Sequence, residues 1–307
     1  MCSSDLLAAR LRAGGGPIAI VSCDNLVDNG PTCRRVVLDF ARALNPDLAA
    51  WIETDVSFVS TMVDRITPRT TEADLQRVRD LTGFDDRGVV VTEPFTEWVL
   101  AGDFPAGRPA WDLAGARFVA DVQPFEQRKL WLLNGAHSLL AYAGPTRGHA
   151  TVSEALADPV CSEWVEQWWD EACRHLALPT EELTAYREAL RERFANPAIR
   201  HQLSQIQADG SQKLPIRVLP VIARERANGI VPYGGVVALA GWLLHLRSDD
   251  AVSDPRAAEL TELVRRDCGS TESAVRRLLA AIAPQTGLAD DAELVRAIAA
   301  CSRELSE

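Results

Sequence analysis

The stretch Pro124-Phe-Glu126-Gln-Arg-Lys129-Leu-Trp-Leu-Leu-Asn134-Gly-Ala-His137 decides how the second half of the chain folds. Pro124 suits a first helical turn and good helix formers follow it, so the stretch predicts a helix. At about 100° per residue, Lys129, Glu126, His137 and Asn134 fall near ~0°, ~60°, ~80° and ~140° and share one face. Most of the remaining circumference is apolar. Because a helix that is apolar nearly all round is usually buried, we expect these four polar groups to face an interior cleft.

The four groups have the chemistry of a proton-transfer site. Burial lowers the pKa of a lysine, and an amine that titrates near neutrality can exchange a proton with an alcohol. An amide N–H beside that amine can donate to a developing oxyanion. A purely structural interpretation is also open at this point: Lys129 extends to solvent, Asn134 bonds locally and His137 is a satisfied core residue.

Composition narrows the class of protein. The chain has 307 residues with 47% apolar and 24% charged residues, which suits one large or two ordinary globular domains. Its net charge of -11 argues against a nucleic-acid surface, and it contains no apolar run as long as a membrane span. No signal peptide is evident, so we expect a cytoplasmic protein that binds neither nucleic acid nor membrane.

Cysteine and histidine spacing predicts neither disulfides nor a metal site. The histidines lack metal-ligand spacing, and no Cys-x-x-Cys pair is present. The odd number of scattered cysteines suggests thiols in a reducing compartment. They are Cys2, Cys23, Cys33, Cys161, Cys173, Cys268 and Cys301.

The order of elements predicts two regions. Strand patterns at residues 17–22, 55–59, 88–92 and 117–122 surround a helix at 32–44 and a helix start at Thr71, which is typical of α/β architecture. After Pro124 the patterns are almost entirely helical. They cover residues 152–175, 180–194, 198–208, 214–228, 233–246, 255–266, 271–282 and 290–303. The predicted fold class is therefore α/β plus all-α, with a partial Rossmann-type domain at 1–122 and a helical substrate domain at 123–307.

Five segments resemble the long-chain mannitol dehydrogenase family, which includes mannitol 2-dehydrogenase, fructuronate reductase, tagaturonate reductase and arabinitol dehydrogenase. They occur in the same order as in that family. The segments are Ser22-Cys-Asp-Asn25 with Asn29-Gly30, Phe58-Val-Ser-Thr-Met-Val-Asp64-Arg65-Ile-Thr-Pro68, Glu93-Pro94-Phe95 with Trp98-Val99, Lys129-x4-Asn134-x2-His137, and Asp209-Gly-Ser-Gln-Lys213-Leu-Pro215.

The resemblance implies a role for each matching residue. Lys129 resembles the catalytic acid/base, and Asn25 and Asn134 resemble the amides that hold the reacting oxygen. His137 resembles the residue that orients the substrate hydroxyls and supports the lysine. Asp64 resembles a carboxylate near substrate and nicotinamide, so that it and Asn25 are also expected at the cofactor.

Glu126 and Lys213 complete the implied site. Glu126 resembles a glutamate that governs the proton path from the lysine to solvent, and Lys213 resembles a substrate-binding cation. Some mannitol dehydrogenases carry arginine where this chain has Gln205, which weakens the specific case for mannitol.

The resemblance implies an NAD(P)-dependent oxidoreductase. It would transfer hydride between a polyol or hexonate alcohol and its ketose or keto-uronate, without a metal and as a monomer. Family members begin with a glycine-rich phosphate loop. No such loop precedes Ser22, since Gly14-Gly-Gly16 leads from a helix into a strand. We therefore expect a truncated chain, with a non-native start and impaired cofactor binding.

Other interpretations remain open on the sequence alone. Asp24 and Asn29 suit a simple turn, Asp64 and Arg65 a structural ion pair, and Lys213 an ordinary helix-start cation. The tryptophans near residue 168 have helical spacing typical of a core. The whole chain could also be a non-catalytic helical binding or assembly module with a vestigial sheet. Only the enzyme requires Lys129, Asn134, His137, Asn25 and Asp64 to converge.

Overall fold

A computed structural model describes residues 3–248, 251–265 and 270–307, so that Cys2, Cys268 and the predicted helix end at Arg266 lie outside the described residues. The chain divides into two compact units. The first comprises the residues up to Thr67 together with Thr92–Glu126, and the second comprises Pro68–Val91 and Gln127–Glu307. The division therefore falls shortly after residue 122, and it assigns Pro68–Val91 to the second unit.

The first unit contains a four-stranded sheet in the order β1-β2-β3-β4. β1 and β2 are parallel, β2 and β3 are antiparallel, and β3 and β4 are parallel. The strands are β1 (Ile18–Val21), β2 (Val56–Asp64), β3 (Glu97–Ala101) and β4 (Arg117–Phe118). The strand predicted at 88–92 is wrong, and β3 was not predicted. Residues 92 and 93 bond to the backbone around Ile66 instead of joining a ladder.

The helices within the described residues are, in chain order, α1 (Ser3–Arg12), α2 (Asn29–Leu44), α3 (Pro46–Asp55), α4 (Glu72–Thr82), α5 (Gln123–Arg128), α6 (Ala136–Ala143), α7 (Val152–Ala157), α8 (Pro159–Cys173), α9 (Thr180–Ala195), α10 (Leu203–Ile206), α11 (Gly210–Arg217), α12 (Leu219–Ala227), α13 (Tyr233–Arg247), α14 (Ala257–Arg265), α15 (Thr271–Ile282) and α16 (Ala292–Glu304). Short 3-10 turns lie at Trp111–Ala114, Gly144–Arg147, Pro284–Thr286 and Leu288–Asp290. A π-helical segment joins α5 to α6.

Two predicted long helices are each divided in two. The helix predicted at 152–175 breaks at Asp158, because a residue before proline disfavours the helical backbone conformation. Asp158 instead caps α8, since its side chain accepts a bond from the Val160 N–H. The helix predicted at 214–228 breaks at Val218 into α11 and α12. The prediction at 198–208 is mostly wrong, since only Leu203–Ile206 is α-helical there.

The core of the first unit lies where α1, α2 and α3 pack together and α2 and α3 cover β2. α3 was not predicted from the sequence, and Asn45 caps it by accepting bonds from the N–H groups of Asp47 and Leu48. Thr71 starts α4 with a capping box to Asp74, as the sequence predicts.

Asn29 connects β1, β2 and α2 through its side-chain amide. This residue is buried, and its Nδ2 donates to the Asp24 carbonyl at 2.8 Å and to the Thr61 carbonyl at 2.7 Å. Its Oδ1 accepts from the Thr61 N–H at 3.0 Å. The amide thus bonds to both the N–H and the carbonyl of Thr61, as the backbone of a neighbouring strand would. It also holds the turn that follows β1 through the Asp24 carbonyl. Asn29 is therefore more than a simple turn residue.

Gly30 allows this arrangement because α2 starts very close to β2. A Cβ at Gly30 would lie 2.5 Å from Ser60 Oγ and 2.9 Å from the Ser60 backbone nitrogen. Any larger residue would push the start of α2, and with it Asn29, away from the strand.

The second unit is a helical assembly around α13. This helix is buried over most of its length and packs against α6, α8 and α16. Buried Glu171 of α8 accepts bonds from the Gly234 and Gly235 N–H groups at the start of α13. Among the described residues, no helix is both long enough and apolar enough to cross a bilayer.

We expect Asn29→Ala to lower the free energy of unfolding by about 3 kcal/mol, because it leaves buried backbone groups of Thr61 without partners. Urea denaturation measures this change. Asn228→Ala is the matched control, since Asn228 is exposed and its substitution should change stability by less than about 0.5 kcal/mol. Equal effects of the two substitutions would show that the Asn29 amide is dispensable.

Candidate active site

The predicted site helix changes its hydrogen-bond pattern at its centre. Lys129–Gly135 forms a π-helical segment between α5 and α6, whereas the predicted angular positions hold only for α-helical spacing. In a π-helix, residue i bonds to residue i+5 rather than i+4. The angular positions predicted beyond Lys129 are therefore wrong. Because Lys129 and Asn134 are five residues apart, the π pattern places them one turn from each other.

Two indoles hold this π segment. The Nε1–H of Trp168 donates to the Trp131 carbonyl at 2.7 Å, and that of Trp169 donates to the Leu132 carbonyl at 2.8 Å. Buried carbonyls need partners wherever a helix leaves its regular pattern, and the indoles supply them. The tryptophans are core residues, as their spacing predicts, but they also fix the backbone that carries the site.

Gly135 lets α8 approach this closely. A Cβ there would lie 2.7 Å from the Trp168 ring. Asn134, a predicted site residue, is thus followed directly by the glycine that its helix needs for packing.

The prediction that this helix is buried is confirmed, since every residue from Trp131 to Ala143 is buried. Four buried polar atoms near it have no hydrogen-bond partner in the described part of the chain. They are Asn134 Nδ2, His137 Nε2, His201 Nδ1 and Arg217 Nε. Buried polar groups are nearly always bonded, so such a group of exceptions indicates a place for a polar ligand.

His137 lies at the centre of this polar group. Its ring stacks on Phe194 with centroids 4.4 Å apart and meets His201 edge-on at 5.1 Å. Burial lowers its pKa well below the usual value for histidine, and His201, Arg217 and Arg193 lower it further. His137 is therefore a neutral imidazole that can exchange hydrogen bonds with hydroxyl groups.

α11 brings two cations to the same place. Burial lowers the pKa of Lys213, and the neighbouring Arg217 lowers it further. The Lys213 Nζ donates to the Ile206 carbonyl at 3.4 Å, and Arg217 Nη1 lies 3.4 Å from Ser138 Oγ. Lys213 is thus half-buried and lies near Arg217 and His201, and its role in binding a substrate stays a prediction.

The structure thus groups Asn134, His137 and Lys213 within the second unit, on the segment from Lys129 to α6 and on the helix α11 that packs against it. Asn25, Asp64 and Glu126 belong to the first unit. Their predicted roles beside Lys129 remain predictions.

Within the first unit, Asn25 follows the carboxyl end of β1, and Asp64 lies at the carboxyl end of β2, beyond the parallel pairing with β1 and within the antiparallel pairing with β3. Asn25 is exposed in the turn after β1, and Asp64 is the buried last residue of β2. Ligands of open α/β sheets bind outside the carboxyl ends of the strands. An amide and a carboxylate in these positions can contact such a ligand.

Glu93 fixes the backbone that follows Asp64. Its side chain accepts the Ile66 N–H at 2.5 Å, and its carbonyl accepts the Arg65 Nε–H at 2.9 Å. The Phe58–Pro68 and Glu93–Phe95 segments that carry the resemblance are therefore parts of one hydrogen-bonded structure.

His149, Asp158 and Cys161 form one group with metal-ligand chemistry among the described residues. The Asp158 carboxylate already accepts bonds from Arg147, at 2.6 and 3.3 Å, and lies 2.9 Å from His149 Nε2. Burial raises the pKa of the Cys161 thiol to about 12, so it is not a thiolate near neutral pH. The group is best described as an ion-pair network. The five described cysteines are free thiols, as predicted.

His201 and Arg217 were not predicted from the sequence. Arg217 follows Lys213 by four residues on the same helix, and this spacing could have identified it. His201 lies outside the helices, next to Arg200 with its φ of 46°, and no periodic pattern could have connected it with His137.

Both units match known domain families. Residues 4–113 match a family model described as the mannitol dehydrogenase Rossmann domain, and residues 121–306 match one described as the mannitol dehydrogenase C-terminal domain. A D-mannonate oxidoreductase of Escherichia coli is 38% identical over 314 residues, which cover 98% of this chain and 64% of that protein. A mannitol 2-dehydrogenase of Aspergillus terreus is 38% identical over 271 residues, covering 84% of this chain and 54% of that protein.

A solved structure resembles the whole described fold. The mannitol 2-dehydrogenase of Pseudomonas fluorescens, in a ternary complex with NAD and D-mannitol, aligns with a TM-score of 0.83 and 36% identity over 99% of this chain and 63% of that chain. This likeness confirms the predicted fold class, α/β followed by all-α. The chain spans between 54% and 64% of the lengths of these three proteins.

Trp168→Phe should lower the free energy of unfolding by about 1–2 kcal/mol, because the Trp131 carbonyl loses its buried donor. Trp98→Phe is the matched control, since Trp98 Nε1 is buried without a partner and no bond is lost. Urea denaturation and amide exchange of residues 129–137 measure the effect. Equal losses in the two variants would indicate that only ring volume matters.

The free energy of unfolding should also decrease as the pH is lowered, because of the buried imidazole of His201. Burial lowers the folded-state pKa of His201 from 6.5 to about 4. The neutral ring therefore stabilises the fold fully above pH 6.5, and this contribution of roughly 2–3 kcal/mol is lost as pH falls to about 4. His201→Gln should flatten that part of a stability-pH curve. An unchanged slope between pH 6.5 and 4 would contradict the assignment.

Proposed function

The chain belongs to the mannitol dehydrogenase family, and on this premise we propose that it is an oxidoreductase that transfers hydride to or from a sugar-derived secondary alcohol with NAD or NADP. The substrate is a polyol or hexonate, and the product is the corresponding ketose or keto-uronate. The observation that carries the proposal is the largely buried π segment, which presents Lys129 and Asn134 one turn apart and leads into the helix of His137, whose Nε2 has no hydrogen-bond partner. We further propose that residues 1–122 serve the dinucleotide and residues 123–307 the substrate.

The distribution of cations supports a special role for Lys129. The chain has 32 lysines and arginines in total, and only Lys129 and Lys213 are lysines. Arginine keeps its charge in proteins, whereas the pKa of a lysine shifts readily on burial. Lysine occurs at these two candidate site positions and arginine at all other cationic positions. This distribution supports a role in which the amine must lose its charge.

The proposed chemistry uses these residues directly. In the oxidising direction, the neutral Lys129 amine accepts the proton of the substrate hydroxyl while the hydride leaves the carbon that bears this hydroxyl. NAD or NADP, when bound, accepts that hydride and supplies the redox chemistry. The Asn134 amide donates to the oxygen as it gains negative charge. His137 holds a neighbouring hydroxyl through its unpartnered Nε2.

The remaining residues have roles that rest on the family resemblance. Asn25 supplies a second amide to the reacting oxygen, and Asp64 lies near substrate and nicotinamide. Glu126 passes the lysine proton to solvent, and Lys213 binds the substrate. Each role can be tested separately by substitution to the isosteric or neutral residue.

The first unit fits part of a dinucleotide. The amide and carboxylate at the ends of β1 and β2 suit a polar ring such as nicotinamide. Among the described residues, β1 leads into α2 through Ser22–Asp28, a turn without glycine, so no residue is assigned to the pyrophosphate. Gly14–Gly16 connects α1 to β1, the reverse direction of a phosphate loop.

Lys129→Ala should lower kcat for alcohol oxidation by about 10²- to 10⁴-fold, because it removes the proton acceptor. Nicotinamide absorbance measures turnover of D-mannitol and D-mannonate. In the unsubstituted protein, kcat/KM for oxidation should rise with pH and level off above the pKa of the amine, since only the neutral amine accepts a proton. Turnover retained in Lys129→Ala would contradict the proposal.

The scarcity of lysine allows a control that does not depend on turnover. ¹³C labelling of lysine side chains gives two resonances, which Lys129→Arg and Lys213→Arg assign. The Lys129 resonance should titrate below the ordinary value of about 10.4 for lysine. A Lys129 resonance that titrates at that ordinary value would exclude the amine as a base near neutrality.

A further inference from the structure

Lys213 and Arg217 are two cations one turn apart on α11, and both are partly withdrawn from water. Like charges at this spacing destabilise a helix. Each group is also desolvated, and burial lowers the pKa of Arg217 to about 10. Desolvation of an arginine is costly unless an anion compensates for it.

The described residues offer no close anion to either cation. Neither forms an ion pair with a carboxylate among them, and Arg217 Nε is buried without a hydrogen-bond partner. Asp209 and Asp254 partly offset the lowering of the Lys213 pKa, and Tyr142 and Asp209 partly offset the lowering of the Arg217 pKa. The Asp254 oxygens, however, accept bonds from Ser211 and from the Arg256 N–H. The charge of Arg217 is therefore left largely uncompensated.

Lys213 and Arg217 lie near His137 and His201. Arg217 reaches Ser138, the neighbour of His137, and both Arg217 and Arg193 lower the pKa of His137. Lys213 likewise lowers the pKa of His201. A chain with a net charge of -11 thus gathers cations and neutral imidazoles around His137. Such a concentration of positive charge attracts an anion.

A guanidinium is suited to a carboxylate in particular. Its planar donors can form two parallel bonds to the two oxygens, and such charge-assisted bonds are the strongest hydrogen bonds in proteins. A neutral polyol offers hydroxyl oxygens only, and these would leave the charge of Arg217 uncompensated.

We propose that Arg217, with Lys213 beside it, binds the carboxylate of a sugar acid, so that the substrate is a hexonate or keto-uronate rather than a neutral polyol. This inference rests on the proposed function for the reaction itself, but the carboxylate site can be tested by binding alone. Arg217 is then the residue that determines specificity, while Lys129 and Asn134 act on the alcohol.

D-mannonate and D-mannitol form a matched pair of probes, because they differ only in a carboxylate in place of a hydroxymethyl group. Calorimetry measures the binding of each with and without NAD. The unsubstituted protein should bind D-mannonate about 10- to 100-fold more tightly than D-mannitol. Arg217→Gln should reduce that preference to within about 3-fold by weakening the binding of D-mannonate far more than that of D-mannitol, whereas Arg217→Lys should retain part of the preference.

Arg303→Gln is the control, since it makes the same change of charge at an exposed position of α16 and should leave the preference intact. If Arg217→Gln does not fold, Lys213→Gln takes its place with a loss in the same direction. Equal binding of both probes by the unsubstituted protein would overturn the inference, as would an equal loss of both in Arg217→Gln.

The carboxylate site and the oxidoreductase activity are contradicted by different results. Preference for D-mannonate without any turnover would contradict the proposed oxidoreductase and leave the carboxylate site standing. Turnover of D-mannitol without a preference for D-mannonate would contradict the carboxylate site and leave the oxidoreductase standing.

Discussion

Two indole-to-carbonyl hydrogen bonds support the site segment of the second unit. The Trp168 and Trp169 N–H groups satisfy the carbonyls of Trp131 and Leu132, so a π-helical turn can persist inside a buried helix. Without such partners, the altered hydrogen-bond pattern would leave buried carbonyls unsatisfied, which is costly. The π turn in turn sets the spacing of Lys129 and Asn134, so the proposed catalytic geometry depends on a packing contact between two helices.

The first unit uses a side-chain amide in a comparable way. Asn29 pairs with both backbone groups of Thr61 and also holds the Asp24 carbonyl. The turn that carries Asn25 is therefore fixed to the strand that ends in Asp64. In both units, polar side chains bond to backbone groups that are distant in the chain. These bonds hold the candidate site residues in place, although the bonding side chains have no proposed role in the reaction.

Charge is distributed unevenly in this protein, and this matters for function. The chain is acidic overall, yet the region around His137 gathers Arg193, Lys213 and Arg217. Burial keeps His137 and His201 neutral, so the imidazoles can bind hydroxyls while the cations attract an anionic group. A sugar acid carries both kinds of group, which unites the proposed reaction and the proposed specificity.

The sequence by itself determined the fold class, the family and most of the candidate site residues. Apolar periodicity and short motifs are local properties, and the buried helix through His137 and the capping box at Thr71 follow from them. Only the tertiary structure decided that Lys129–Gly135 is π-helical and that β3, rather than residues 88–92, pairs with β2 and β4. It also decided that the His201 ring contacts His137 and that Arg217 lies close enough to lower the pKa of His137. The reason is physical: a π turn, a strand pairing and a buried charge each depend on partners distant in the chain, such as Trp168 for Trp131, and no local pattern encodes those partners.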